Sequence, residues 1–174
     1  ARFAARRAGL LVEDGLLTGI GDTPADRAGS IVTMRESGWE QVRVMTFVPQ
    51  AGTPLEDVRP AGDADELLTI ACLRLAMPDA LIPASLDVDG IAGLERRLQA
   101  GADVVTSIVP PTVGLAGVSQ AELDIDEGYR TVHGVLPHLE RLGLRPAGVD
   151  EYRERERAQA MRERIYAKIL GEIR

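Results

Sequence analysis

Four short apolar runs rich in β-branched residues, each followed by a helix-like stretch, recur along the chain. They lie within residues 10–20, 41–48 (QVRVMTFV), 81–87 (LIPASLD) and 103–109 (DVVTSIV). Strand–helix alternation implies a parallel sheet with right-handed crossovers and helices packed on its face. Four such units make half of a (β/α)8 barrel, whose full set needs roughly 200–250 residues. The alternative is an open doubly wound sheet. The chain enters at Ala1 directly into helix-like sequence, and a half barrel leaves two unpaired strand edges. Both features point to a piece of a larger fold, with processing as the alternative account of the start at Ala1.

The third run is the most informative. In LIPASLDVDG (81–90), side chains alternate across the strand, so Ile82, Ala84 and Leu86 share one face and Pro83, Ser85 and Asp87 the other. An apolar face for helices and polar groups at the strand's C-terminal end match the layout of a barrel whose inner tip meets the ligand. Ser85 and Asp87 therefore hold a polar substrate or cap the following helix. Asp89, directly before Gly90, is the better cap of the two aspartates.

The other segments fall around this one. Residues 1–8 read as a basic helix stopped by Gly9. A strand in 10–20, with a turn expected at Glu13-Asp14-Gly15, runs into TGIGDTPAD. Gly19 and Gly21 permit close approach of the backbone to a ligand. They also suit a plain strand-to-helix turn, since the third glycine of a dinucleotide fingerprint is missing. Thr23, Pro24 and Asp26 start a helix that should end at Gly38. In the second strand Val42, Val44, Thr46 and Val48 share one face, and Arg43, Met45 and Phe47 the other. An arginine inside an apolar strand is costly unless paired, so Arg43 lies at a watery sheet edge or points into a polar site. Asp63 or Asp65 is the expected cap of a helix over 64–77, with Cys72 as a small core residue and Pro78 as the stop. Residues 91–100 form a short helix on which Arg96 and Arg97 read as solvated charges. A further helix is expected over 126–142, kinked or ended at Pro137. It carries the chain's two histidines, His133 and His138, which do not share a helix face. A charged amphipathic helix follows from 149, with Tyr152, Met161, Ile165, Ile169 and Ile173 as its buried stripe. Residues 1–148 are thus expected to form the partial barrel and 149–174 a C-terminal helix.

Composition narrows the function. A net charge of −7 argues against a general nucleic-acid surface. No apolar run is long enough for a membrane span and no signal peptide is seen, so the expected location is cytoplasmic. One cysteine excludes an internal disulfide framework and any cluster held by several cysteines of this chain. No metal-ligand set and no catalytic residue are assigned.

Four segments carry a resemblance: VEDGLLTGIGDT (12–23), VRVMTFVPQAGTPL (42–55), LIPASLDVDGIAGLERRLQAGADVVTSIVPP (81–111) and LAGVSQAELDIDEGYRTV (115–132). Together they resemble the C-terminal half of the methylornithine synthase family of pyrrolysine biosynthesis, a radical S-adenosylmethionine family. More distantly they are similar to biotin synthase, including the region shared by biotin- and thiamin-synthesis enzymes, here about 42–147. The resemblance implies strands five to eight of a (β/α)8 barrel. It implies S-adenosylmethionine and a [4Fe–4S] cluster as cofactors, with the cluster's Cys-x3-Cys-x2-Cys ligands outside this chain, and an external electron donor. The implied reaction is radical rearrangement of L-lysine to 3-methyl-D-ornithine, a carbon-skeleton mutase. Arg43, Ser85 and Asp87 match positions that hold the amino-acid end; a guanidinium fork suits a carboxylate, and a carboxylate suits an α-ammonium. Gly19 and Gly21, with Phe47 and Val48, match walls around S-adenosylmethionine, with Asp22 where relatives often carry Glu. The chain alone is expected to be inactive, because one thiolate does not hold a cluster. Two other readings stand beside this one. One is a biotin-synthase-like or hydrogenase-maturation-like enzyme with another substrate, and the other is a non-catalytic α/β module binding a small amino acid.

Overall fold

The computed structural model describes residues 2–59, 61–87, 89–110, 130–158 and 161. The elements run in order α1 (Arg2–Arg7), β1 (Glu13–Thr18), α2 (Pro24–Ser37), β2 (Gln41–Thr46), α3 (Asp63–Ala76), β3 (Pro83–Ser85), a 3-10 turn (Gly90–Gly93), α4 (Leu94–Ala100), β4 (Val104–Thr106) and α5 (Val132–Arg141). All pairing among the described strands is parallel. β1 pairs with β2 from Glu13↔Gln41 to Thr18↔Thr46, and β3 with β4 from Pro83↔Val104 to Ser85↔Thr106. The two ladders meet at a parallel bridge, Gln41↔Leu81, where Val42 N–H donates to Leu81 O at 2.9 Å and Leu81 N–H to Glu40 O at 3.0 Å. Each strand thus neighbours the next in sequence, with no reversal of order. That is the arc of a barrel, whereas a doubly wound sheet turns back at a switch point.

Period-2 alternation decides the faces. Val42, Val44, Ile82, Ala84 and Leu86 are all buried among the helices, against Ile31 and Met34 of α2, Ile70 and Leu73 of α3, Leu94 of α4, and Val135 and Leu139 of α5. The opposite face, with Met45 and Ser85, looks into the hollow of the arc. Helix α2 begins with the expected capping box: the Thr23 side chain accepts from Asp26 N–H and the Asp26 carboxylate accepts from Thr23 N–H, with Pro24 at the first turn. It ends on Gly38 at φ 64°. Only glycine adopts that backbone freely.

Several expectations are corrected. Glu13, Asp14 and Gly15 open β1 instead of turning, because each pairs with a residue of β2. Gly62, not an aspartate, stands at the N-cap of α3; Asp63 and Asp65 are drawn away to Arg96 and Arg27. Cys72 is exposed. The inward positions of α3 are Glu66, Thr69, Ile70 and Leu73, and Cys72 lies on the other side with Leu68 and Leu75; apolar residues on both faces hid the choice. Asp89 precedes the 3-10 turn without a side-chain cap bond, its carboxylate being taken by Arg97. The fourth strand is shorter than the apolar run around it. The late helix starts at Val132, where Thr131 Oγ1 accepts from Gly134 N–H, and it continues through Pro137 to Arg141; residues 126–129 lie outside the described residues. Residues 149–158 are helical, and Arg155 ties them to the N-terminal ends of β3 and β4 through Asp79 O, Ala80 O and the Asp103 carboxylate. Tyr152 and Met161 are exposed, not a buried stripe; Ile165, Ile169 and Ile173 lie outside the described residues.

Leu73 is fully buried and Leu75 is 84% exposed on the same helix. Leu73→Ala is expected to cost about 2–5 kcal/mol through lost burial and the cavity it leaves, and Leu75→Ala less than about 0.5 kcal/mol. Denaturant melts of the two variants measure this directly.

Candidate active site

The C-terminal ends of the strands converge on a cavity of about 370 Å³, a volume in the range of small-molecule sites. Leu17 of β1, Met45 of β2 with Phe47 and Val48 just beyond it, and Ser85 with Asp87 at the end of β3 line it; Glu66 and Arg97 close it from the helix side. The wall is mostly apolar, with a few polar groups gathered at one end.

That polar end is ordered by hydrogen bonds. Ser85 Oγ donates to Asp87 Oδ2 at 3.1 Å and accepts from Asp87 N–H at 3.3 Å. Ser107 Oγ, one residue past β4, donates to the same Oδ2 at 2.7 Å and lies 3.2 Å from Ser85 Oγ. Arg130, buried, donates through Nη1 to Leu86 O at 3.1 Å and to Asp87 Oδ1 at 3.3 Å. One carboxylate therefore meets two hydroxyls and a guanidinium.

A second charged network lies behind it. Arg97 is 6% exposed, so the solvated reading of this residue is wrong. Its guanidinium donates to Glu66 Oε1 at 2.8 Å and Oε2 at 3.1 Å, to Asp89 Oδ1 at 2.6 Å and to Ser85 O at 3.2 Å. Thr46 Oγ1 donates to Glu66 Oε2 at 3.3 Å. Burial alone would pull the arginine toward losing its proton, but the Glu66 and Asp89 carboxylates outweigh it and raise its pKa above the ordinary value. Arg96, next to it, is the solvated one of the two, with Asp63 as an exposed partner.

Four of the seven site residues expected from sequence line the cavity: Phe47, Val48, Ser85 and Asp87. Arg43 does not. Its Nε donates to Glu13 Oε1 at 2.6 Å, beside Gly15, where a Cβ would come within 2.7 Å of Arg43 O. It shares a strand face with Met45, one two-residue repeat, or about 7 Å, nearer the strand's N-terminus. Gly19 and Gly21 lie in the β1–α2 turn, at φ 92° and 100°. At Gly19 a Cβ would sit 2.8 Å from Ala61 N, whereas at Gly21 it would meet nothing within 4 Å. Gly19 thus permits close packing of its own chain, and Gly21 faces open space. Asp22 closes this turn: its Oδ1 accepts from Gly19 and Ile20 N–H at 2.6 and 3.2 Å, and Arg27 bridges Oδ2 to Asp65. Burial opposes ionisation, yet Arg27 and the two amides hold the Asp22 carboxyl below its usual range.

Sequence reasoning missed Ser107, Arg130, Glu66 and Arg97. For Ser107 a signal existed, a hydroxyl at the end of an apolar strand one unit after Ser85. The three charged residues carried none, because nothing in a helix pattern separates a buried charge from a solvated one. His138 Nδ1 lies 2.6 Å from Glu95 Oε1 on the outer surface, away from the cavity. Among the described residues, no group of three or more His, Cys, Asp or Glu is placed to hold a metal ion, and no helix is long and apolar enough to cross a membrane.

No family model matches the chain. It is 46% identical over 147 residues to 3-methylornithine synthase of Methanosarcina barkeri, covering 84% of this chain and 42% of that protein. It is 44% identical over 151 residues to the same enzyme of Methanosarcina acetivorans, covering 87% and 43%. A crystal structure of methylornithine synthase superposes with a TM-score of 0.81 at 44% identity, over 88% of this chain and 46% of that one. The chain is a relative of methylornithine synthase. It spans about two-fifths of the length of these curated relatives, and that partial match fits the C-terminal half of their radical S-adenosylmethionine barrel. Biotin synthase of Salinibacter ruber is a more distant relative, 29% identical over 157 residues.

Two outcomes follow from these networks. Arg97→Ala leaves two carboxylates facing an empty buried site and is expected to cost about 3–5 kcal/mol, against less than about 1 kcal/mol for Arg96→Ala; urea midpoints compare them. The Asp22 contribution, from a folded-state pKa below the ordinary 3.8, is complete above that value and lost as pH falls through the lower one. Asp22→Asn should flatten the acid limb of a stability-against-pH series.

Proposed function

We propose that this chain is the part of a radical S-adenosylmethionine enzyme that grips the amino-acid end of L-lysine during its rearrangement to 3-methylornithine. The observation that carries this reading is the Asp87 carboxylate, oriented by Ser85 at the cavity rim. It is built to accept from an α-ammonium. Arg43 is the proposed partner of the substrate carboxylate. The Glu13 bond engages only its Nε, and its two terminal nitrogens have no hydrogen-bond partner among the described residues. They are available to a second carboxylate once the side chain extends up the strand face.

The cofactors of the family divide across this chain. The one cysteine stands exposed on the outer side of α3, so no residue here fits the [4Fe–4S] cluster, and its ligands are assigned outside the chain. S-adenosylmethionine does fit: Phe47 and Val48 offer an apolar wall to a purine, and Gly21 leaves open space at the neighbouring turn. In this class it supplies, when bound, the radical that abstracts a substrate hydrogen, and an external reductant provides the electron. The residues of this chain would orient the zwitterion and exclude water from it.

The biotin synthase likeness supports a second reading, the same barrel with another substrate. A carboxylate, hydroxyls and an arginine on the cavity face favour an amino acid over a lipophilic precursor.

The test uses the full-length protein with S-adenosylmethionine, a strong reductant and L-lysine under anaerobic conditions. Chromatography of derivatised amino acids should show 3-methylornithine. Asp87→Asn and Arg43→Ala should each raise KM for lysine tenfold or more, with Arg96→Ala near wild type. Product from dethiobiotin and none from lysine would replace this reading with the second. The 174-residue chain alone should form neither.

A further inference from the structure

The groups that hold Asp87 are costly in themselves. Ser107 is the one non-glycine among the described residues in the left-handed backbone region, at φ 65°. An L side chain is strained there, and such strain persists where the surroundings enforce it, typically at functional sites. What it gains is placement: the Ser107 hydroxyl reaches Asp87 Oδ2 at 2.7 Å and Ser85 at 3.2 Å. Arg130, with a side chain 8% exposed, holds the other oxygen of Asp87 and the Leu86 carbonyl, while its own carbonyl accepts from Val109 N–H at 2.8 Å. Both oxygens of the carboxylate are thus addressed by groups from outside β3.

We infer that Ser107 and Arg130 are positioning residues that fix the direction of the Asp87 carboxylate and, through it, the grip on the α-ammonium of an amino-acid ligand. This rests on the reading in which Asp87 meets that ammonium. Neither residue needs to touch the ligand. Ser107 restrains the oxygen that Ser85 shares, and Arg130 sets the tilt of the carboxylate plane while tying it to the β3 backbone.

The experiment measures L-lysine binding to the full-length protein by calorimetry, together with Tm. Ser107→Gly removes the hydroxyl and relieves the left-handed strain, so Tm should stay level or rise while Kd for lysine increases about tenfold. Arg130→Lys keeps the charge but lacks the Nη1 donor that reaches both Leu86 O and Asp87 Oδ1, and Kd should increase in the same direction. Competition with 6-aminohexanoate, which lacks the α-ammonium, should show no comparable loss in Ser107→Gly. Lysine affinity within twofold of wild type in both variants would overturn the inference, as would equal losses for the two ligands. If wild type binds no lysine, the amino-acid reading itself falls and takes this inference with it. If wild type binds and the variants match it, only the positioning role falls.

Discussion

Two buried guanidiniums hold the end of one strand, and the rest of the site depends on them. Arg97 donates to the carbonyl of Ser85 and Arg130 to the carbonyl of Leu86. These are successive backbone acceptors where β3 stops and the chain turns away. A strand end without such partners would be open to water, and the two side chains beyond it would have no fixed direction. Each arginine also neutralises carboxylates, Glu66 and Asp89 in one case and Asp87 in the other. The charge is expensive to bury and is kept where breaking it is expensive too.

This arrangement explains why the polar groups sit where they do. The outer face of the arc is fixed by Val42, Val44, Ile82, Ala84 and Leu86 against the helices. Because side chains alternate, the inner face and strand ends are left to carry chemistry. Helix α3 contributes to both layers. Ile70 and Leu73 pack on the sheet, and Glu66, one turn earlier, reaches the cavity wall through Arg97 and Thr46.

Much of this was legible in the sequence. The alternation in LIPASLD placed Ser85 and Asp87 together at a strand end, and the Thr23–Asp26 box with Gly38 marked both ends of α2. Such signals are local, and local physics decides them. Tertiary facts were not legible. Arg96 and Arg97 are chemically identical neighbours, and only the rotation of α4 against α3 buries one and exposes the other. Cys72 and Leu73 are both apolar, and only the packing of α3 sends one outward. Arg43 shares the strand face of Met45, yet its guanidinium rests on Glu13, a partner thirty residues away that the strand pattern does not name. Ser107 depends on a backbone angle that no residue preference announces, since serine is rarely found there.

The central claim is that the rim of this cavity takes a zwitterionic amino acid end-on. The most direct measurement is a crystal structure of the full-length protein with L-lysine and S-adenosylmethionine bound. The account predicts the α-nitrogen within about 3.2 Å of an Asp87 oxygen and the substrate carboxylate on the Arg43 guanidinium. Lysine seated elsewhere in the barrel, with no ligand nitrogen on Asp87, would contradict it.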